Sequence, residues 1–548
     1  MNIKIDDFAG MVPSLNKFNM EQRYSQQTVN AKLMYGNLTP YKIPRTIITP
    51  TKAGVKKTIY RWGEDLTDES TYWFAWTTDV DVVRAPIDND VTERTYFTGD
   101  EYPKKTDSSL YSAGGTNYPM NAYKLGVPAP ATAPPATVSG DPDNETDVAL
   151  SVAYVVTYVT SWGEESAPSG PTEVVSYKEG QTVNLTSIPV APEGNYNVTF
   201  KRLYRSNSGS KGTAYQFVTG IGLGTTSYAD SKKSIELGET VATWGWSEPP
   251  NDMKGLKLLA NGFAIGFLGN TLYPSEPFAL YAYPEAYQIS TEYPIVGIGV
   301  FGQSAFIGTK GIPYVLTGSD PSTLSMTKLE ANQACVSKRS IVSMNGGVVY
   351  ASPDGLFLVN SGGITPLTMS IISRDDWQTY KPDSIHAYEI DGRYIAFYDN
   401  GTTQGSVIFN LYGETPSFST STVYATAGFS DRLRDALYLA IGTANNSTNT
   451  IARWDDGASN LTFSWKSKKF RAPRPICPSI AKIEATGYPV TFKMYADNVL
   501  QFTKTVSSKN SFRIPAGFKA QTFEFEFEAT TQIDRFNIAE KVNELKVM

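Results

Sequence analysis

An all-β fold is what this sequence predicts: a β-propeller, interrupted by an inserted β-sandwich and followed by a C-terminal β domain. Three observations carry the prediction. The composition is that of strands and turns. A hairpin recurs with a period of about 43 residues, and Pro-rich segments fence off a run of short strands.

The 548 residues are enough for three or four domains. A hydrophobic share of 41% supports real cores and excludes wholesale disorder. Only 19% of residues are charged, while 33 Tyr, 26 Phe and 44 Gly point to β structure and turns. Two Cys cannot build a disulfide framework, and a single His, His386, removes multi-His metal sites. A formal charge of −6 argues against a dedicated nucleic-acid binder, which needs a basic surface. The N-terminus carries Asp6 and Asp7 where a signal peptide needs an apolar run, and no stretch of about 18 apolar residues occurs. Synthesis in a cytoplasm without a membrane span is expected.

Residues 251–460 hold the repeat. Five times, two apolar runs flank a polar or Gly turn, as in Leu258-Leu259-Ala260, Asn261-Gly262, Phe263-Ala264-Ile265. The turns recur at Gly262, Gly302, Gly346, Gly392 and Asp435, in steps of 40, 44, 46 and 43. Asn-Gly and Asp-Gly favour the tight turns whose twist matches a hairpin. A period of 40–50 with several strands per unit is that of propeller blades. Five blades leave the ring open. Residues 55–125 offer a first blade and its connection, with strand-like runs at 57–62, 72–76, 80–83 and 95–97. The ring then closes between early and late chain. Residues 1–54 are assigned to an N-terminal arm and a platform β segment.

Residues 126–250 form the insertion. Gly126–Pro135 is dense in Pro, hence an extended linker. The run 151–159 is almost wholly apolar, as a sandwich-core strand is, and further strands fall at 182–188, 197–205 and 215–221. This stretch resembles an immunoglobulin-like (Ig) or fibronectin III-like module. In the C-terminal platform domain, 461–548, Phe523-Glu524-Phe525-Glu526-Phe527-Glu528 alternates perfectly. One strand face is then Phe toward a core and the other Glu, beside a basic strand or solvent.

The candidates for chemistry are few. His386 lies in a blade strand and reads as structural. Asp141, Asp143, Glu145 and Asp147 alternate like a calcium loop, but Thr146 stands where such a loop needs Gly, and Pro142 interrupts it. Asp375-Asp376 and Asp455-Asp456 are paired carboxylates of the kind sugar hydrolysis uses, yet adjacent Asp residues are common in turns. Ser352-Pro353-Asp354-Gly355 reads as a hairpin turn. The basic run from Trp465 to Arg474 reads as an intersubunit or inter-strand salt contact or a solvated edge, with DNA contact as the alternative. Cys335 and Cys477 read as free thiols. No catalytic, cofactor or metal residue is assigned, and the chain is expected not to be an enzyme.

Taken together, the segment Asp7–Leu15, the blades, the inserted module and the closing run from Phe512 to Leu545 make a layout. It is similar to that of the tail nozzle (tail tubular protein B) family of short-tailed bacteriophages. The resemblance implies a virion structural protein of the phage tail. Such proteins form a hexameric ring below the tail adaptor, dock fibres or spikes, and conduct genomic DNA during ejection. A receptor- or glycan-binding tail component is the alternative, and a propeller glycosidase the third reading.

Overall fold

The computed structural model describes residues 2–33, 35–63, 67–112, 117–209, 212–411, 416–442 and 449–546. They are almost entirely β. Seven antiparallel strand groups, called sheets below, follow one another along the chain; the sixth is one end of a ten-stranded sheet that continues into the platform through the parallel pairing of Val29 with Thr420. The first has two strands, Thr58–Arg61 and Trp73–Trp76. The second runs through Asp81–Arg84, Thr95–Thr98, Lys104–Thr106 and Tyr123–Lys124. The third to sixth begin at Lys254–Leu258, Ile295–Phe301, Val342–Met344 and His386–Ile390, and each adds three strands as a meander. The seventh consists of Ala427–Asp431, Ala436–Ile441, Thr450–Arg453 and, from the other end of the chain, Arg45–Ile48.

The first strands of neighbouring sheets lie side by side in a closed circuit. Its last gap, between the first and second sheets, is bridged by Val80 N donating to Thr58 Oγ1 at 2.9 Å. Each neighbouring pair shares one apolar core. Leu259, Phe263 and Ile265 meet Ile298, Ile307 and Leu316 between the third and fourth sheets. Val348 and Tyr350 face the fourth sheet, while Val349 and Ala351 on the same strand face the sixth. A strand buried on both faces explains why the second strand of each unit is a continuous apolar run. The hairpin turns fall where the motif places them. Asn261 and Gly262 (φ 71° and 77°) and Asp391 and Gly392 (φ 52° and 72°) take the left-handed backbone that such turns need.

Two boundaries differ from the sequence expectation. Residues 55–125 form two sheets rather than one blade. Trp73 and Ala75 pack toward the seventh sheet, and Phe74 and Trp76 pack toward the second. A strand covered on both faces needs a separate sheet on each side, so Asp81–Arg84 starts a new one. Within 1–54, the strand Arg45–Ile48 belongs to the seventh sheet rather than to the platform.

The rest of the N-terminal segment does join the C-terminal strands. Asn2–Ile5 pairs with Ile533–Ala539, and Ser25–Val29 with Phe463–Ser467. Met11 and Phe418 exchange backbone hydrogen bonds, tying this platform to the sixth sheet. The platform core gathers Phe8, Trp465, Phe492, Phe523, Phe525 and Phe527. The Glu face of the alternating strand is covered as well. Glu524 pairs with Lys466 at 3.4 Å, and Lys493 reaches Glu526 and Glu528 at 2.9 and 2.6 Å.

Between the second and third sheets stand the strands of the insertion. Tyr154–Thr160 pairs with Val198–Gly209, which pairs with Gly212–Gly222. Ala136–Ser139, Thr182–Leu185 and Tyr228–Asp230 make a second sheet. Tyr154, Val156, Val183, Leu185, Leu203 and Val218 form the core between them.

Candidate functional site

The first strands of all seven sheets line one central cavity of about 470 Å³. No residue of 126–250 is among the described residues that line it, so the insertion stands outside. Close approach of the strands is possible because small residues sit at the contacts. A Cβ on Gly428 would lie 2.7 Å from the Tyr388 ring.

The cavity wall is charged, and its charges are cross-linked. Asp81, on the second sheet, accepts from Lys338 Nζ at 2.5 Å, Lys257 Nζ at 3.2 Å and Gly255 N at 3.1 Å. Lys338 also reaches Asp79 at 3.0 Å. One carboxylate thus stitches the strand before the insertion to the strand after it and to the loop before the fifth sheet. Burial pushes the Asp81 carboxyl up, but the Lys338 and Lys257 ammonium groups outweigh it and hold the group below the usual range. Burial likewise opposes the charge on Lys338, and Asp81 with Asp79 holds its pKa above the usual value. Arg339, next along, donates to the Thr426 carbonyl at 2.7 Å. These five charges were not singled out in the sequence. The signal was present in Val80-Asp81-Val82, an acid inside an apolar run, but its partners lie more than 170 residues away.

The residues that were singled out are dispersed. His386 is buried, stacks on Phe397 at 5.3 Å and bonds the Ala425 carbonyl through Nε2 at 2.9 Å. Burial and the neighbouring Arg339 push its pKa well below the ordinary value. Asp375 and Asp376 occupy the first turn of the short helix Arg374–Gln378, where Ser373 Oγ donates to Asp376 at 2.7 Å. Asp455 accepts from Lys42 N at 2.7 Å and pairs with Lys32, and Asp456 takes Arg45 at 2.6 Å. Asp376, Asp455 and Asp456 therefore serve as caps and ties, and Asp375 lies in the first turn of the helix. Ser352 and Gly355 close the hairpin of the fifth sheet.

In the acidic loop, Asp143 N donates to Glu179 O, and Glu145 meets Lys178 at 3.6 Å. Among the described residues, no cluster of three or more His, Cys, Asp or Glu is placed to hold a metal. The basic run is spent on the N-terminal segment and the platform. Trp465 Nε1 donates to Ala9 O at 3.0 Å, Lys468 bonds the Met20 carbonyl, and Arg474 faces Glu540 at 3.6 Å. Cys335 is buried, which pushes its thiol up to about 12, and Cys477 is half-buried; both are free.

The insertion is clamped to the outer strands of the second sheet. Trp162 sits between Arg94 (4.9 Å), Lys105 (5.4 Å) and the Tyr123 ring (5.8 Å). Lys105 and Glu164 form a fully buried ion pair. Among the described residues, no helix is long and apolar enough to cross a membrane.

No family model matches this chain, and no curated protein matches it. Among solved structures, the N-terminal domain of Nup159 is 11% identical over 61% of this chain and 85% of that one, with a TM-score of 0.25. PorZ, a surface component of the type-IX secretion system of Porphyromonas gingivalis, is 10% identical over 88% of this chain and 55% of that one, with a TM-score of 0.22. Both overlaps are slight.

Proposed function

We propose that this chain is a virion structural protein, the tail nozzle subunit of a short-tailed phage. In this reading it is a seven-bladed β-propeller with an inserted Ig/fibronectin III-like β-sandwich and a C-terminal β platform. It works as a hexameric ring, not as an enzyme. The ring meets the tail adaptor above and fibres or spikes at its side, and it passes genomic DNA during ejection. The observation that carries this reading is the way the two chain ends share one platform beside a circuit of sheets, with the extra module held outside it. That layout resembles the nozzle family. The engagement of the Asp376, Asp455 and Asp456 carboxylates in a cap and in ion pairs supports a non-catalytic role. The net charge of −6 per chain also suits a conduit, because a ring of acidic subunits does not hold DNA fast.

Electron microscopy and mass photometry of the purified full chain test this. A sixfold ring with a central hole, of about 360 kDa from six chains of 60.1 kDa, is expected. A monomer at every concentration overturns the reading.

A further inference from the structure

A second cavity, of about 420 Å³, lies beside the edge strand Trp73–Trp76 of the two-stranded sheet, away from the central one. Its apolar wall is formed by Pro50, Tyr72, Trp73 and Tyr118. Around that wall stand neutral hydrogen-bonding side chains, among them Thr51, Ser70 and Asn117. Lys52 is the single charged residue among the described residues that line the cavity.

Tyr72 is held in an unusual way. Its φ of 61° lies in the left-handed region, which a bulky side chain rarely adopts. The residue stays 38% exposed while its ring makes T-shaped contacts with Trp62 and Tyr111, at 6.0 and 5.9 Å. The ring is thus both accessible and fixed. Beside the apolar wall, Asn117 Oδ1 accepts from Thr51 Oγ1 at 2.6 Å, which orients the amide, and its Nδ2 hydrogens have no partner among the described residues. Ser70 Oγ donates to Asp68 at 2.8 Å and keeps its lone pairs as acceptors.

A fixed aromatic face beside neutral donors and acceptors matches a pyranose ring, which offers C–H groups on its face and hydroxyls at its edge. A purely apolar ligand would waste the rim, and a phosphate-rich one would need more than a single cation. We infer that this cavity is a saccharide-binding pocket, and that Lys52 favours a ring bearing a carboxylate. The inference stands apart from the virion reading and does not depend on it.

The test uses the full chain and two oligosaccharides, tri-galacturonate and the neutral maltotriose, in saturation-transfer NMR. Transfer to tri-galacturonate is expected, with weaker transfer to maltotriose. Tyr72→Leu and Asn117→Ala each weaken binding on the order of 10-fold, Asn117→Ala at an unchanged melting temperature. Lys52→Ala removes the preference for the uronate. Asn117→Ala, on the rim, decides the matter if Tyr72→Leu loses the fold. No transfer to either oligosaccharide, or transfer that survives both substitutions, overturns the proposal.

Discussion

Replacing Glu164 by Leu tests how the insertion is held. Lys105 and Glu164 have side chains 0% and 4% exposed, so the pair sits out of water at the junction of insertion and second sheet. Burial pushes the Lys105 pKa down, and the Glu164 carboxylate pulls against it. Removing the carboxylate leaves a buried ammonium beside the Trp162 ring and the like-charged Arg94, a penalty of about 3–5 kcal/mol. Converting both residues, as Lys105→Met with Glu164→Leu, removes the stranded charge and restores most of that loss. The pair holds one junction of a chain with several cores, so a local assay isolates its contribution. Hydrogen exchange at the amides of Trp162 to Glu165 reports the opening of this junction. A loss of about 3 kcal/mol speeds exchange there on the order of 100-fold, and the double variant returns it to near the parent rate. Unchanged exchange in the single variant would show that the pair does not hold the junction. A double variant as perturbed as the single would show that packing, not the stranded charge, is at fault.

Other expectations follow from the same reasoning. Phe525→Ala empties a fully buried site and costs about 3–5 kcal/mol, whereas Glu528→Ala, on the more open end of the Glu face, costs under about 1 kcal/mol; equal melting temperatures refute this assignment. Asp81→Leu strands Lys338 beside the central cavity and speeds amide exchange at Gly255 to Lys257, while Lys338 keeps Asp79 as a partial partner; unchanged exchange counts against the stitch. His386 is neutral when folded and binds a proton near pH 6.5 when unfolded, so the stability it contributes is lost as pH falls below about 6.5. Melting temperatures of the parent chain and His386→Phe between pH 7 and 5.5 check this, with the steeper fall expected in the parent.

How much of this was legible in the sequence depended on the distance between partners. A hairpin turn needs only its own residues, so Asn261-Gly262 and Asp391-Gly392 announced their backbone directly. The strand Phe523–Glu528 announced its Phe face in the same way. Whether its Glu face met a basic strand or solvent stayed open, because Lys466 and Lys493 lie 58 and 33 residues upstream of their partners Glu524 and Glu526. The split of 55–125 was hidden because Trp73–Trp76 is apolar throughout, which says that the strand is buried but not that two different sheets bury it. The closure by Arg45–Ile48 and the cross-links at Asp81 were hidden for the same reason at longer range. So was the pocket at Tyr72, whose wall comes from three separate stretches of chain.

The placement of Arg45–Ile48 has a consequence for biosynthesis. Its partner strand, Thr450–Arg453, is translated about 400 residues later, and the partners of Asn2–Ile5 later still. At roughly 5–20 residues per second, the first strands made wait on the order of 20–80 s before their edges are covered. Until then the nascent chain carries unpaired strand edges that neighbouring chains can capture. A ribosome that stops anywhere before the seventh sheet releases a chain whose circuit cannot shut, so premature termination yields an aggregating fragment rather than a smaller working protein.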